Sequence, residues 1–220
     1  MPTAEGLEQL PYEPGARLPE VSEVWWRTPV DDERLRRIEW LAASYTTVYV
    51  VPFFVMAFVL VAIEPLLAFV SALCLLHAWV IPELFAHRGS RVMVGSRSVD
   101  EGSRGLLADL LDRRTAAVEA ATGAVVEPGR LGVWVIAERG ALLVRRRGRR
   151  VHAFCVGVKE PDLPRAERVA HLLLALRQDE TGFATVANHA FTGATWRLRR
   201  RLPRERVPAL DAARDLAKKP

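Results

Sequence analysis

The chain has 220 residues, half of them hydrophobic, with 31 basic and 26 acidic side chains. This apolar content excludes a wholly disordered protein, and the length allows one or two packed domains. The charge is uneven, because the first 40 residues hold 5 basic and 9 acidic residues, whereas the part from Arg88 onward holds 26 and 15. A basic tail of this kind favours an anionic surface as its partner.

The N-terminal part divides into two predicted segments. Residues 1–28 are predicted to form a flexible leader, because closely spaced prolines and glycines exclude a long helix. Residues 29–40 are predicted to form a lead-in helix, since acids occupy its first turn and Leu35 and Ile38 recur at helical spacing.

Residues 41–63 and 66–86 are predicted to be two transmembrane helices. They contain no Lys, Arg or Asp, and each approaches the roughly 20 residues that cross a bilayer. A cleaved signal peptide does not fit, because about 40 mostly polar residues precede the first run. A soluble helical hairpin is the alternative, but a globular helix normally keeps a charged face.

The short link at Glu64 predicts an antiparallel hairpin whose ends lie on one side of the membrane. Arginines flank both outer ends of the hairpin and are missing from the link. The positive-inside rule therefore predicts that both termini are cytoplasmic. Arg outnumbers Lys 28 to 3, which is compatible with a GC-rich bacterial genome and hence with a bacterial inner (plasma) membrane.

Polar side chains inside the second span raise the question of a site. Cys74 and His77 share one helix face, and antiparallel pairing brings His77 near Tyr49 and Thr47 of the first span. We expect His77 to hydrogen-bond Tyr49 or Thr47 and stabilise the hairpin. A proton relay or haem ligation is the alternative, although two ligands do not make a metal centre, and no metal or cofactor is predicted.

Residues 87–104 are predicted to be a linker, and residues 105–220 a small cytoplasmic α+β domain with a mainly antiparallel sheet. In chain order, the pattern predicts a helix over 103–121, a strand meander over 131–158, a helix from Pro164 to Gly182, an edge strand over 195–202 and a helix over 208–219.

Motifs of common enzyme classes are missing from the sequence, including phosphate-binding loops, nucleophile elbows and zinc-protease motifs. The acids near the strands follow no nuclease pattern, and His152 and His171 are expected to be partly buried structural residues. The stretch "ANHAFTGATW" is predicted to be a loop, and Asn188, His189 and Thr192 are its candidate ligand-binding residues.

Two arginine groups are the predicted contacts for anionic lipid or phosphate: Arg145, Arg146, Arg147, Arg149 and Arg150, with Arg197, Arg199 and Arg201. Nucleic acid is not the expected partner, since Trp196 alone makes no base-stacking platform. The bilayer with its anionic lipids is one expected partner, and small residues in the spans allow a homo-oligomer or a second membrane protein.

The sequence therefore predicts an integral membrane protein with a non-catalytic binding or scaffolding domain. Two alternatives remain open at this point. One is a membrane-tethered enzyme that acts on nucleic acid or a phosphorylated small molecule. The other is an oligomeric transport accessory subunit.

Overall fold

The computed structural model describes residues 17–94, 104–158, 160 and 163–219. They contain two long apolar helices and a five-stranded antiparallel sheet with shorter helices, which confirms the predicted fold class at that level. Most of the predicted leader, and residues 95–103 of the predicted linker, lie outside the described residues.

The long helices are α2, Asp32–Ile63, and α3, Ala68–Arg91, joined by a 3₁₀ turn at Pro65–Leu67. Helix α2 begins where the Asp31 carboxylate accepts a hydrogen bond from the Arg34 backbone N–H at 2.8 Å. The predicted lead-in helix and first span are thus one continuous helix. Both long helices are of a length and composition that could cross a membrane.

Helix α3 continues through residues 87–91, which the sequence analysis assigned to the linker. Basic side chains in its last turn face the negative end of the helix dipole, so they favour helix there. The predicted start of the linker was therefore too early.

The sheet is a meander in which each strand pairs with the next. Its strands are β1 Val125–Pro128, β2 Val133–Ala137, β3 Gly140–Val144, β4 Arg150–Cys155 and β5 Asn188–Ala194. The register places His152 of β4 opposite Leu143 of β3 on one side and opposite Thr192 of β5 on the other.

The shorter helices are α1 Glu20–Glu23, α4 Arg104–Leu110, α5 Arg113–Thr122, α6 Arg165–Gln178, α7 Glu180–Val186, α8 Thr195–Arg201 and α9 Val207–Lys218. The single helix predicted over 103–121 is two helices, because Asp112 caps α5 through a 2.6 Å bond from the Thr115 N–H. Likewise, the helix predicted to end at Gly182 ends at Gln178, and Asp179 caps a new one.

Both faces of the sheet are covered. One face packs against α8, α9 and the end of α3, and the other packs against α6, α7 and the start of α2. All five residues of β2 are buried, as expected for a central strand covered on both sides. The base of the hairpin is thereby part of the domain core.

Two predicted elements at the C-terminal side of the sheet were wrong. The predicted loop containing Asn188, His189 and Thr192 is strand β5. The predicted edge strand over 195–202 is helix α8, which buries Thr195 and Leu198.

Candidate functional site

A group of polar side chains joins the base of α2 to the sheet. We call it the polar cluster, and its members are Asp32, Glu39, Arg145, His152, His189 and Thr192. Glu39 faces the sheet because it follows the fully buried Leu35 by four residues, about one helical turn. The strand register brings His152 of β4 next to Thr192 of β5, because the two residues are directly opposed.

Arg145 is the cationic centre of the polar cluster. Its Nε donates to Glu39 Oε1 at 3.0 Å, its Nη2 donates to Asp32 Oδ1 at 2.6 Å, and its Nη1 donates to the Leu131 carbonyl. Arg145 is only 8% exposed. Burial and these three hydrogen bonds to protein oxygens do not favour the predicted contact of Arg145 with lipid or phosphate.

The acids of the cluster remain ionised. The hydrogen bond from Arg145 lowers the pKa of Asp32 below its ordinary value. Burial opposes ionisation of Glu39, but hydrogen bonds from His152 and Arg145 and the positive charge of Arg145 outweigh it, and the pKa of Glu39 is lowered. Both carboxylates therefore hold a negative charge against the buried arginine.

His152 is fully buried, and burial lowers its pKa despite the neighbouring Glu39. Its Nε2 lies 3.1 Å from Glu39 Oε1, and its Nδ1 lies 2.7 Å from Thr192 Oγ1. A carboxylate only accepts, so Nε2 of the neutral ring donates to Glu39 and Nδ1 accepts from the Thr192 hydroxyl.

The chain of hydrogen bonds ends at His189, whose Nε2 lies 2.7 Å from Thr192 Oγ1. Because the hydroxyl proton is already given to His152, His189 Nε2 carries the proton and donates to Thr192. Desolvation, with the positive charge of Arg34, lowers the pKa of His189 to about 4. Such a chain can orient a hydroxyl group or move a proton along it.

A cleft of about 1460 Å³ opens beside the polar cluster, between the two long helices and the β5–α8 edge of the domain. His189 and Thr192 are in its wall, together with apolar side chains of α2 and α3 such as Tyr45, Phe54 and Phe85. The basic residues in the wall are Arg147, Arg149, Arg150, Arg197, Arg214 and Lys218. No Asp or Glu is among the described residues that line it.

Two of these cations are paired with acids on their own helix: Arg214 with Asp211 at 3.6 Å and Lys218 with Asp215 at 2.9 Å. The remaining four, on the β3–β4 turn, β4 and α8, have no carboxylate partner within the described part of the chain: Arg147, Arg149, Arg150 and Arg197. The positive charge at this end of the cleft is thus not neutralised by described acids.

Three other predicted lipid contacts are placed outside the cleft wall. Arg199 pairs with Asp211 at 2.8 Å, and Arg201 pairs with Glu83 at 2.7 Å, so both guanidinium groups already have an acidic partner. Arg146 is exposed and does not line the cleft.

The hydrogen bond predicted between His77 and Tyr49 or Thr47 is not the one observed. His77 Nδ1 lies 2.8 Å from the Leu73 carbonyl, and the ring stacks on Phe53 with centroids 5.7 Å apart. Thr47 donates to Ala43, and the Tyr49 ring packs on Tyr45. Cys74 is a half-buried free thiol. The four residues therefore form no common site.

Of the three candidate ligand residues, the structure brings His189 and Thr192 together and separates Asn188 from them. Asn188 Oδ1 instead accepts from Arg27 Nη2 at 2.8 Å. The sequence analysis missed Asp32 and Glu39. Glu39 could have been found, because it interrupts the apolar face that Leu35 begins, just ahead of the first span.

No protein-family model matches the chain, and neither a curated protein nor a solved structure matches it significantly. Among the described residues, no group of three or more His, Cys, Asp or Glu side chains is placed to hold a metal ion.

Proposed function

We propose that this protein spans a bacterial inner membrane twice, with both termini in the cytoplasm, and that its α+β domain is a non-catalytic module that binds an anionic ligand at the membrane surface. The observation that carries this proposal is the cleft, since arginines without a carboxylate partner among the described residues meet apolar helix side chains in one wall. Such a wall suits a ligand that carries negative charge beside a hydrophobic surface.

The exposure of the hairpin supports insertion into the bilayer. Large apolar side chains along both long helices are open to the outside, among them Phe58 at 75%, Leu66 at 87% and Phe69 at 74%. Exposed surface of this size is costly in water and is expected of helices that face lipid. The Arg-rich ends of the hairpin support a cytoplasmic domain.

The polar cluster fixes the domain under the membrane. Glu39 and Asp32 belong to the same helix as the first span, and they hold Arg145 and His152 of the sheet. The cleft therefore keeps a set position relative to the bilayer, as a surface binding module requires.

Fractionation and thiol labelling test the topology together. In a Cys74→Ser background, Cys155 is an exposed natural reporter in the domain, and Glu64→Cys would report on the link between the helices. We expect the protein in the membrane fraction, with an impermeant maleimide labelling Glu64→Cys in intact spheroplasts and Cys155 only after permeabilisation. A protein that is soluble without detergent, or Cys155 labelling in intact spheroplasts, would refute the proposal.

A second candidate function is favoured by one specific contact. The hydrogen bond from the Thr192 hydroxyl to His152, itself oriented by Glu39, resembles the way a nucleophile is held by a general base. A membrane-tethered enzyme that cleaves a phosphorylated or esterified substrate would use it. Turnover of such a substrate by the wild type, lost in Thr192→Val and kept in Thr192→Ser, would replace the binding proposal with this one.

A further inference from the structure

We infer that the cleft binds one anionic phospholipid, with the headgroup phosphate among Arg147, Arg149, Arg150 and Arg197 and an acyl chain along the faces of α2 and α3. This inference rests on the proposed function, because the lipid reaches the cleft only if the hairpin lies in a bilayer. Beyond the proposed function, the inference identifies the ligand class as a phospholipid and places its entry to the cleft from the bilayer.

The charge of the cleft selects an anion. Its described wall contains six basic side chains and no acidic one. Four of those arginines lack a carboxylate partner among the described residues, so their guanidinium donors are available to phosphate oxygens. Arginine is the side chain best suited to hold a phosphate through two parallel hydrogen bonds.

The β3–β4 turn, which presents Arg147 and Arg149, is strained. Arg147 adopts a φ of 74°, in the left-handed region that a residue with a side chain normally avoids, and Gly148 follows with a φ of 67°. A glycine would fit at position 147 without this cost. Strained backbone that carries a charge into a cleft is typical of a binding site rather than of a turn selected for stability.

The apolar wall of the cleft continues along the long helices. Val50, Val51 and Phe54 of α2 line it, and Val51 and Phe54 are 47% and 44% exposed. A ligand lying between the basic turn and these side chains needs a polar head and a hydrophobic tail. Soluble phosphate esters satisfy only the first requirement, so a phospholipid fits the wall better.

Trp196 marks the level of the headgroups. It is 44% exposed on α8, and the guanidinium groups of Arg197 and Arg200 lie 5.1 and 4.9 Å from its ring centroid. Tryptophan with adjacent basic residues is characteristic of the membrane interface. A base-binding platform would need more than this one stacking ring, so the geometry favours lipid over nucleic acid.

The test uses the full-length protein in an uncharged detergent, titrated with phosphatidylglycerol or phosphatidylcholine and followed by native mass spectrometry. We expect one phosphatidylglycerol to bind at least tenfold more tightly than phosphatidylcholine. Each of Arg149→Gln, Arg150→Gln and Arg197→Gln should weaken it about fivefold, and the triple variant about a hundredfold.

Arg139→Gln is the matched control. Arg139 is exposed in the β2–β3 turn, at the other end of β3 from Arg147 and thus about 16 Å away along the strand. The Arg139→Gln substitution removes the same charge from the domain without changing a residue of the cleft, so lipid binding should be unchanged. Unchanged thermal midpoints of the variants show that they are folded.

Three results would overturn the lipid site while leaving the topology intact: equal binding of the two phospholipids, a triple variant that binds like the wild type, or glycerophosphate binding as tightly as phosphatidylglycerol. Tighter binding of an oligonucleotide that competes with lipid would also overturn it. Solubility of the protein without detergent would instead refute the proposed function itself, which keeps the two failures distinct.

Discussion

Gly89 of α3 lies directly against the ring of Phe191 in β5: a Cβ atom added to Gly89 would come within 2.7 Å of Phe191 Cγ and Cδ1. The second long helix therefore approaches the edge strand more closely than any side chain would allow. This contact holds α3 to β5, and the bond from His152 to Glu39 in the polar cluster holds α2 to the neighbouring strand β4.

Gly89→Ala is expected to destabilise the protein by about 1–3 kcal/mol, because overpacking at this contact outweighs the gain of up to about 1 kcal/mol in helix propensity. The Phe191 Cβ atom is also only 2.8 Å from the added atom, so a rotation of the ring does not relieve the clash. Chemical unfolding of the purified protein in detergent measures the effect.

The control for this substitution is Gly157→Ala, since an added Cβ at Gly157 meets nothing within 4 Å. It should leave the free energy of unfolding unchanged or raise it slightly, by restricting the unfolded chain. Equal effects of the two substitutions would contradict the close packing of α3 on β5.

The bond between Glu39 and His152 is expected to stabilise the docking of α2 on the sheet. Glu39→Gln should cost about 2 kcal/mol, because it leaves the buried Arg145 and His152 with a weaker, uncharged acceptor. His152→Asn keeps an amide near Thr192 but removes the atom that faces Glu39. In a double-mutant cycle, we expect a coupling of at least about 1 kcal/mol between the two positions.

Asp32→Asn serves as the comparison for that cycle. The Asp32 side chain is 55% exposed, and its ion pair with Arg145 should therefore contribute less than about 1 kcal/mol. Additive effects of Glu39→Gln and His152→Asn would show that the two residues do not stabilise the structure as a pair.

The long helices and the central strands could be predicted from the sequence because their apolar runs are continuous or strongly periodic. Strand β5 could not, since Phe191 is its only buried residue and leaves no alternating pattern. Helix α8 was misread because Trp196, Leu198 and Leu202 fall on alternate positions. In the structure Leu198 within α8 and Leu202 just after the helix are buried, and Trp196 is exposed.

The polar cluster lay beyond sequence reasoning for a different reason. Glu39 and His152 are 113 residues apart in the chain, and only the tertiary packing of α2 on the sheet brings them together. The same packing buries Arg145, a predicted lipid contact, and pairs it with Asp32 and Glu39. His189 and Thr192, two of the predicted ligand-binding residues, line the cleft, although the sequence assigned them to a loop and gave no indication of their shared partner.

Arg147→Gly is expected to stabilise the protein by about 1 kcal/mol, because glycine adopts the left-handed conformation of this turn without the steric cost that arginine bears. The same substitution should weaken phosphatidylglycerol binding, since it removes a cation from the cleft. Stability and lipid affinity thus change in opposite directions.

Arg147→Ala separates the two effects. It removes the charge but retains a side chain at the strained position, so it should weaken lipid binding as much as Arg147→Gly and give no gain in thermal midpoint. A stabilised Arg147→Ala variant, or one that binds lipid normally, would contradict the link between strain and binding at this turn.

Stability is expected to fall as the pH is lowered from about 6.5 toward 4.5, because the pKa values of His152 and His189 are depressed in the folded state. Well above pH 6.5 both rings are neutral in the folded and in the unfolded chain, and their full contribution is present. Below it the unfolded chain binds protons that the folded one does not. The positive charges of Arg145 and Arg150 disfavour protonation of His152, and that of Arg34 disfavours protonation of His189. Glu39 favours protonation of His152 but offsets the other effects only in part.

The fully buried His152 should contribute most of this slope, up to about 1.4 kcal/mol per pH unit, while His189 is more open to solvent and contributes less. Unfolding midpoints measured between pH 7.5 and 5 should therefore depend less on pH in His152→Asn than in the wild type. His171→Gln changes an exposed histidine of α6 and should keep the wild-type slope. If His171→Gln flattened the profile and His152→Asn did not, the neutral buried ring at the base of α2 would not be the source of the pH dependence.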